Sequence, residues 1–374
     1  MKIVIAPDSF KESLTAHEVA EYIKEGFQEI YPDADYHLLP VSDGGEGTLE
    51  ILSKALDAKK MKIDVSGPFG DPVSAQVAFT DGNKKALIEM AEVCGLHLVP
   101  TTRRDPLQVS TKGVGELILH AMEKGATEII IGIGGSASND GGIGMASALG
   151  YEFLDAENNI VNPIGANLAD IATIRSEKVP AELENITVNI VTDVENPLCG
   201  EAGASYVFGP QKGLLAVTDL ATADGAMRQF YQLANPAMVT MPRAGAGGGI
   251  GAGLVTFAKA NLLSGIDFVI EALQIKTVCE DADLVIVGEG KMDGQTAQGK
   301  APVGVAKVVP KETPVFAICG SVGEGLEAVY EVGISAVFPS IAKPATLENI
   351  LKETPNNLRR TARNVAAVWK GRVE

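Results

Sequence analysis

Residues 2–43 read KIVIAPDSFKESLTAHEVAEYIKEGFQEIYPDADYHLLPVSD, and this stretch decides the fold. Lys2–Ala6 is a short run of strand-forming residues, and Asp35–Val41 is a second one. Between them, Thr15 and Glu18 match a capping box, and the apolar residues that follow recur every three or four positions. The stretch therefore predicts a strand, an amphipathic helix and a second strand. Both loops of such a unit leave the carboxyl ends of parallel strands, where open sheets bind ligands.

The pattern changes from about Met61 and changes back near Asp267. In between, close spacing and Asp-Gly turns favour antiparallel pairing of three short strands. Beyond Asp267, apolar strands again alternate with helical segments. We expect an α/β protein of two domains, in which a mixed-sheet domain is inserted into a parallel-sheet domain. The predicted domains are residues 1–60 with 267–374, and residues 61–266.

The chain carries a net charge of −17, from 31 basic and 48 acidic residues. A surface this acidic repels nucleic acid and anionic lipid, so we expect neither as a partner. It also repels an anionic substrate at a distance, which makes lysines inside candidate loops more informative. A simpler interpretation is that the acidity only keeps the protein soluble.

The 4 cysteines and 4 histidines are scattered along the chain. Their spacing argues against a zinc site and favours buried free thiols in a reducing cytoplasm. No apolar run approaches the roughly 18 residues of a membrane span, and the amino-terminal run is too short for a signal peptide. We therefore expect a cytoplasmic protein. Its oligomeric state stays open, a homodimer included.

Glycine, with 41 residues, exceeds its usual share of about 7%, and the excess is concentrated in four short segments, three of which also carry carboxylates. Glycine lets backbone N–H groups approach an anion. Carboxylates can hold Mg²⁺ or accept a hydroxyl proton, and lysines neutralise phosphate. The mixture indicates phosphoryl transfer. The segments are VSDGGEGT (41–48), GIGGSASNDGG (132–142), FGPQKG (208–213) and VGEGKMDGQTAQGK (287–300).

Two of these segments also resemble nucleotide motifs. Gly132–Ala137 matches the dinucleotide pattern G-x-G-x-x-A, with Asp155 placed to bind a ribose. A phosphate cradle for ATP, which we favour, and a tight structural turn are the other interpretations. Gly294–Lys300 has the spacing of a P-loop, but Ala301 replaces the Ser or Thr that ligates Mg²⁺, so we reject a true P-loop.

Several acids follow predicted strands, where they can orient Mg²⁺ or accept a hydroxyl proton. Lysines in the glycine-rich and serine-rich loops can pair with an anionic substrate. Helix capping, turn formation and solvated surface lysines are the structural alternatives. No histidine lies beside a Ser or Cys nucleophile signature, which disfavours triad hydrolysis. The acids are Asp8, Asp43, Asp193 and Asp293, and the lysines are Lys11, Lys212 and Lys300.

Blocks of sequence along nearly the whole chain resemble the bacterial glycerate kinase family, the type that acts in glyoxylate and sugar-acid catabolism. The blocks are residues 6–15, 40–48, 132–142, 192–198, 208–213 and 288–296. One departure is Lys291, where the family pattern leads us to expect Arg. Lysine keeps the charge but lacks the guanidinium fork.

The resemblance implies ATP-dependent phosphorylation of D-glycerate, at the 2-hydroxyl in the better-known bacterial members. It also implies a flavodoxin-like domain and an inserted α/β domain, with the active site in the cleft. Two other functions stay open: an NAD(P)-dependent hydroxy-acid oxidoreductase and a non-catalytic sugar-acid-binding regulator.

From the loops and the resemblance together we assign roles as hypotheses. The catalytic residues are Asp8, Lys11, Asp43, Asp193 and Asp293, and the Mg²⁺ ligands are Asp193 and Asp293. The ATP-binding residues are Gly132, Gly134, Gly135, Ser136, Lys212, Gly288, Glu289, Gly290 and Lys300. The glycerate-binding residues are Ser9, Lys11, Gly44 and Gly45.

Overall fold

The computed structural model describes residues 1–42 and 47–373. The chain forms two compact units, Met1–Asp43 with Gly265–Glu374, and Gly44–Ser264. The units divide at 43/44 and 264/265, whereas the sequence predicts borders at 60/61 and 266/267.

In the described residues, the strands in chain order are β1 (Lys2–Pro7), β2 (Asp35–Leu38), β3 (Lys59–Ser66), β4 (Pro72–Thr80), β5 (Lys85–Glu89), β6 (Glu128–Gly132), β7 (Glu152–Leu154), β8 (Thr173–Arg175), β9 (Thr187–Val191), β10 (Asn261–Leu263), β11 (Leu284–Gly288), β12 (Lys291–Met292), β13 (Val315–Cys319), β14 (Ser321–Val322) and β15 (Ala336–Pro339). The α-helices are α1 (Ala16–Gln28), α2 (Thr48–Ala55), α3 (Ala91–Cys94), α4 (Lys112–Glu123), α5 (Ile143–Ala148), α6 (Ala204–Phe208), α7 (Leu220–Ala234), α8 (Ile250–Ala258), α9 (Gly265–Ala272), α10 (Ile275–Cys279), α11 (Ala301–Val308), α12 (Ala328–Glu331) and α13 (Leu347–Val373).

The first unit is built on a sheet of order β2-β1-β11-β13-β15, in which every neighbouring pair is parallel. When only the strands of this sheet are numbered, in chain order, the strand order is 2-1-3-4-5, which is the flavodoxin-like order. The predicted parallel-sheet domain is confirmed. The order reverses between β1 and β11, and this switch point is where such sheets bind ligands.

The β1–α1–β2 segment forms as the sequence predicts. Thr15 and Glu18 make the capping box, with the amide of Thr15 donating to the Glu18 carboxylate at 2.9 Å. Helix α1 packs against α13, and Gly26 lets the two approach closely. A Cβ at Gly26 would lie 2.3 Å from the carbonyl oxygen of Arg359. The buried stripe of α1 and one face of α13 thus share a core with the sheet.

The second unit contains a mixed sheet of order β3-β4-β5-β6-β9-β10. The β3–β4 and β4–β5 pairs are antiparallel, and the other pairs are parallel, which confirms the predicted mixed sheet. Helix α2 belongs to this unit because its apolar face packs on the sheet. Leu52 is 2% exposed and lines a small cavity with Leu87. This packing explains why the units divide before α2 rather than after it.

The cysteines behave as predicted, since all are buried free thiols. Burial raises the pKa of Cys199 to about 12, and that of Cys279 to about 11. In the described part of the chain, no group of three or more acidic, histidine or cysteine side chains is arranged to hold a metal. No helix within residues 1–42 and 47–373 combines the length and apolar character needed to cross a membrane.

Candidate active site

The first unit brings two predicted loops together at the switch point of its sheet. In the register of β1 and β11, Pro7 lies opposite Gly288, so the loops after both strands start at the same edge. The amide of Asp8 donates to the carbonyl of Gly288 at 2.8 Å. Gly290 lies against the other loop, because a Cβ there would be 3.6 Å from the amide nitrogen of Lys11.

The loop after β1 presents three polar side chains. The amide of Ser9 donates to Asp8 Oδ1 at 2.6 Å, which turns the loop back on itself. Phe10 is 3% exposed and anchors the loop in the core, whereas Lys11 is exposed. A carboxylate, a hydroxyl and an ammonium group thus follow β1 within residues 8–11.

Glu289 is a buried carboxylate in the loop after β11. It is 8% exposed, and Thr296 Oγ1 donates to its Oε1 at 2.5 Å. Lys300 Nζ lies 4.0 Å from Oε2. Buried carboxylates require such partners, so Thr296 and Lys300 hold Glu289 in place. The sequence does not indicate this use of Thr296, since a lone Thr in a polar loop has no distinguishing pattern.

Asp293 is a half-buried carboxylate held by charge. Lys291 Nζ lies 3.2 Å from its Oδ2, and the amide of Gln295 donates to its Oδ1 at 3.0 Å. Desolvation acts to raise the pKa of Asp293, but the hydrogen bonds from Lys291 and Gln295 and the nearby Lys300 outweigh it. The pKa therefore lies below the ordinary value. Asp293 is therefore ionised at neutral pH, as both a cation ligand and a proton acceptor must be.

Lys300 lies at the start of α11, but the segment before it is not a P-loop. It is the N-cap residue of α11, and a short 3₁₀ turn, Thr296–Gln298, precedes it. Strand β12, which pairs with β14 outside the main sheet, separates this segment from β11. A P-loop joins a sheet strand directly to its helix. The geometry supports the rejection of that motif.

In the second unit, Gly132 and Asp193 belong to the same edge of the mixed sheet. The register pairs Gly132 with Val191, and Asp193 follows shortly after. Ser264 Oγ donates to Asp193 Oδ1 at 3.1 Å. Asp193 is therefore an oriented carboxylate next to the start of the glycine loop.

The glycine loop after β6 has backbone donors to offer. In the described part of the chain, the amides of Gly134 and Gly135 donate to no protein acceptor. The loop is nevertheless held, because the amide of Leu96 donates to the carbonyl of Gly135 at 2.9 Å and that of Ala137 to the carbonyl of Cys94 at 2.8 Å. Open amides on a fixed glycine loop are the usual means of binding phosphate oxygens.

Lys212 is not a surface lysine. Its side chain is buried, and Nζ donates to Ser136 Oγ at 2.7 Å and to the carbonyl of Ser138 at 2.8 Å. Desolvation lowers the pKa of Lys212 to about 8, against the opposing effect of Cys94 and Asp140. Lys212 thus contacts the glycine loop, and its predicted contact with ATP stays a prediction.

A further buried carboxylate, Asp140, lies outside the predicted site residues. It accepts hydrogen bonds from the amide and hydroxyl of Thr111 at 2.9 and 2.8 Å, and from the amides of Gly142 and Gly144 at 3.0 and 3.3 Å. Burial raises the pKa of Asp140, and these hydrogen bonds oppose the rise. Asp140 thus fixes the end of the glycine loop to the start of α5. An Asp shortly before a helix is the signal that indicates such capping.

The dinucleotide interpretation does not fit the structure. Strand β7 pairs with β8 in a separate two-stranded sheet, not beside β6. Asp155, the expected ribose ligand, instead accepts hydrogen bonds from the amides of Glu157 and Asn159 at 3.0 and 2.8 Å. These are the bonds of a turn-forming residue. In addition, α5 begins only at Ile143, well beyond Gly132 and Gly134, the glycines of the dinucleotide pattern.

The predicted residues thus fall into groups. The first unit brings together the loop of Asp8, Ser9 and Lys11 with that of Gly288, Glu289 and Gly290, and Asp293 and Lys300 follow the second loop. The second unit places Gly132, Gly134, Gly135, Ser136 and Asp193 at one sheet edge. Three predicted residues, Asp43, Gly44 and Gly45, lie outside the described residues.

Comparisons with known proteins give a consistent result. A sequence model of the glycerate kinase family matches residues 3–370. The glycerate kinase of Neisseria meningitidis serogroup B is 45% identical over 365 residues, covering 98% of each chain. The glycerate 2-kinase of Escherichia coli is 44% identical over 372 residues, covering 98% of this chain and 97% of the relative. The crystal structure of a candidate glycerate kinase 2 from Salmonella typhimurium superposes with a TM-score of 0.84 at 44% identity, covering 99% and 98% of the two chains.

Proposed function

This chain belongs to the glycerate kinase family, and we propose from that premise that it transfers the γ-phosphoryl group of ATP to D-glycerate, giving 2-phosphoglycerate and ADP. The relatives named glycerate kinase and glycerate 2-kinase support this acceptor, because they match over nearly the whole chain. The reaction forms a bond between the 2-hydroxyl oxygen and the γ-phosphorus. It breaks the bond between the γ-phosphorus and the oxygen that joins it to the β-phosphate, and that oxygen leaves with ADP.

One observation carries the proposal. The switch point of the flavodoxin-like sheet lies between β1 and β11, and both loops that leave it are rich in the groups that phosphoryl transfer uses. This is the position at which such sheets bind ligands. A carboxylate, Asp8, and a lysine, Lys11, come from one loop, and the backbone of Gly288–Gly290 comes from the other.

We assign the acceptor side of the reaction to the first loop. Lys11 pairs with the glycerate carboxylate, and Ser9 donates a hydrogen bond to the same substrate. Asp8 is one of the four aspartates that we propose for accepting the hydroxyl proton, with Asp43, Asp193 and Asp293. Most of the catalytic effect then comes from positioning and charge stabilisation, as phosphoryl transfer requires.

We assign the phosphates of ATP to glycine backbone. In the first unit the amide of Gly290 donates to no acceptor among the described residues, and in the second unit the same is true of Gly134 and Gly135. Lys300 supplies positive charge near the first of these segments. That the loops of both units act in one active site stays a prediction.

Mg²⁺ suits the carboxylates in question. It is usually held by one or two carboxylates, with water and substrate phosphates completing its shell, so a cluster of three protein ligands is not required. Asp293 fits because its lowered pKa keeps it ionised, and Asp193 fits as an oriented carboxylate at a strand end. Held by these residues, Mg²⁺ would supply positive charge against the phosphates of ATP. We also propose a cytoplasmic location, in keeping with the free thiols.

A coupled assay tests the function directly. The purified protein is mixed with D-glycerate and MgATP, ADP release is followed by NADH oxidation through coupling enzymes, and phosphorus NMR identifies the product. We expect ADP formation that depends on D-glycerate and a phosphorus signal on the 2-hydroxyl. ADP formation that is independent of D-glycerate, or no reaction at all, would refute the proposal, and 3-phosphoglycerate would refute its regiochemistry.

A further inference from the structure

Lys212 occupies an unusual position for a lysine. It ends a 3₁₀ turn, Pro210–Lys212, and its side chain is only 3% exposed. Removing an ammonium group from water is costly unless its hydrogen bonds are replaced. The residue thus lies in a place where its own partners, and not solvent, determine its charge and orientation.

Those partners belong to the glycine loop. Nζ donates to Ser136 Oγ at 2.7 Å and to the carbonyl of Ser138 at 2.8 Å. These two residues follow Gly134 and Gly135, whose amides are open among the described residues. Charge-assisted hydrogen bonds of this length are among the stronger ones in proteins. Lys212 therefore connects a distant segment of the chain to the residues directly behind the open amides.

The backbone around this contact is closely packed. Gly248 has a φ of +72°, and a Cβ there would lie 2.0 Å from the carbonyl oxygen of Ser138 and 3.1 Å from Lys212 Nζ. The other face of the loop is fixed by the bridge between Gly95 and Ser136. Lys212 thus lies buried between Gly248 and the glycine loop.

We propose that Lys212 is a positioning residue: it holds Ser136 and Ser138 so that the amides of Gly134 and Gly135 are fixed for nucleotide phosphate, without itself touching phosphate. The inference rests on the proposed function only in taking the nucleotide as the ligand of this loop. It predicts that the effect of Lys212 passes through Ser136.

A double-mutant cycle measures this dependence. ATP affinity is determined by calorimetry in the absence of D-glycerate for Lys212→Met, Ser136→Ala and the double variant. We expect Lys212→Met to weaken ATP binding roughly 10- to 100-fold, the range for charge-assisted hydrogen bonds, and the double variant to be no more than about twofold weaker than Lys212→Met. Lys178→Met, at a lysine 69% exposed in the same unit, is the matched control and should bind ATP normally. Effects that multiply in the double variant, or unchanged affinity in Lys212→Met, would overturn the proposal.

The pH dependence of ATP affinity gives a second test, because it follows the charge of Lys212 and not only the stability of the fold. This test does not require Lys212→Met to fold. The titratable groups that act on Lys212 are Cys94 and Asp140. ATP affinity should fall as the pH rises through about 8, where the ammonium loses its proton. Ser136→Ala removes an acceptor that stabilises the ammonium, so this fall should move to lower pH. An unmoved profile would contradict the proposal. Wild-type protein that binds ATP in this way but does not phosphorylate D-glycerate would refute the proposed function alone.

Discussion

At the scale of single residues, polar groups that are buried and fully bonded set the shape of the glycine loop. Asp140 is 0% exposed, and both of its carboxylate oxygens accept hydrogen bonds. The groups that donate to it are three backbone amides and one hydroxyl. Both side-chain oxygens of this residue must therefore act as acceptors. Asparagine has the same size, but one of these oxygens is replaced by an NH₂ group, which donates.

Asp140→Asn should destabilise the second unit by about 2–4 kcal/mol, since a new NH₂ group would face backbone donors in the interior. Hydrogen exchange of the amides of α4, which begins next to Thr111, measures the loss. Asp155→Asn, on an exposed turn, serves as the control and should change stability by less than about 0.5 kcal/mol. Equal protection of α4 in both variants would contradict the role of Asp140.

Lys291 provides a prediction about pH. Because Lys291 lowers the pKa of Asp293, that carboxylate stays ionised to lower pH than an ordinary aspartate does. In Lys291→Met the pKa of Asp293 should rise, so the acidic limb of kcat/KM should move to higher pH. Lys291→Arg keeps the charge and should leave the limb in place. A Lys291→Met profile that coincides with the wild-type profile would show that ionised Asp293 is not needed.

The surroundings of some candidate site residues can be predicted from the sequence, and those of others cannot. Asp8 and Asp293 are predictable because they follow apolar strands, and a position after a strand is a local pattern. The burial of Lys212 is not predictable, since its partners Ser136 and Ser138 are far away in the chain. The role of Asp155 is not predictable either, because it depends on which strands pair with each other. Its position after a strand suggests a ligand, yet that strand pairs outside the main sheet.

At the scale of elements, α1 shows how much local chemistry specifies. Its capping box and apolar spacing predict the helix start and the buried face, and the structure has both. The hydrogen bond from the amide of Thr15 and that from its side chain lower the pKa of Glu18. The contribution of these two hydrogen bonds to stability is therefore present above the ordinary pKa of a glutamate. It is lost as the pH falls through the lowered pKa of Glu18.

Thr15→Ala should destabilise the first unit by about 1 kcal/mol at neutral pH, and by less in acid, where Glu18 is protonated. The single tryptophan, Trp369, lies in the core of this unit, so its fluorescence in urea reports this unit's unfolding. Thr15→Ser keeps the capping oxygen and should unfold within a few tenths of a kcal/mol of the wild type. A urea midpoint that is the same for all three proteins would rule out a contribution of the cap.

Helix α2 shows what the local sequence of a helix does not specify. Its buried Leu52 lies against the mixed sheet and lines a cavity with Leu87, which are contacts with residues of other elements. Contacts between residues distant in sequence are invisible to capping and periodicity rules. The border between units was for this reason less predictable than the helices themselves.

At the scale of the whole molecule, the α/β class follows from the alternation of strand and helix patterns, but the strand order does not. The 2-1-3-4-5 order places β11, from late in the chain, beside β1, from its start. That pairing creates the switch point, and so it determines which loops become neighbours. The family resemblance supplied the acceptor, which no pattern of spacing could identify.

The most direct measurement of the central claim is the turnover of four single variants with D-glycerate and MgATP: Asp8→Asn, Asp43→Asn, Asp193→Asn and Asp293→Asn. If the carboxylates at these strand ends perform the transfer, at least one variant should lose roughly 10²- to 10⁴-fold in kcat while it still binds ATP. Asp155→Asn should keep the wild-type rate. Four variants with undiminished turnover would contradict the assignment of phosphoryl transfer to these loops.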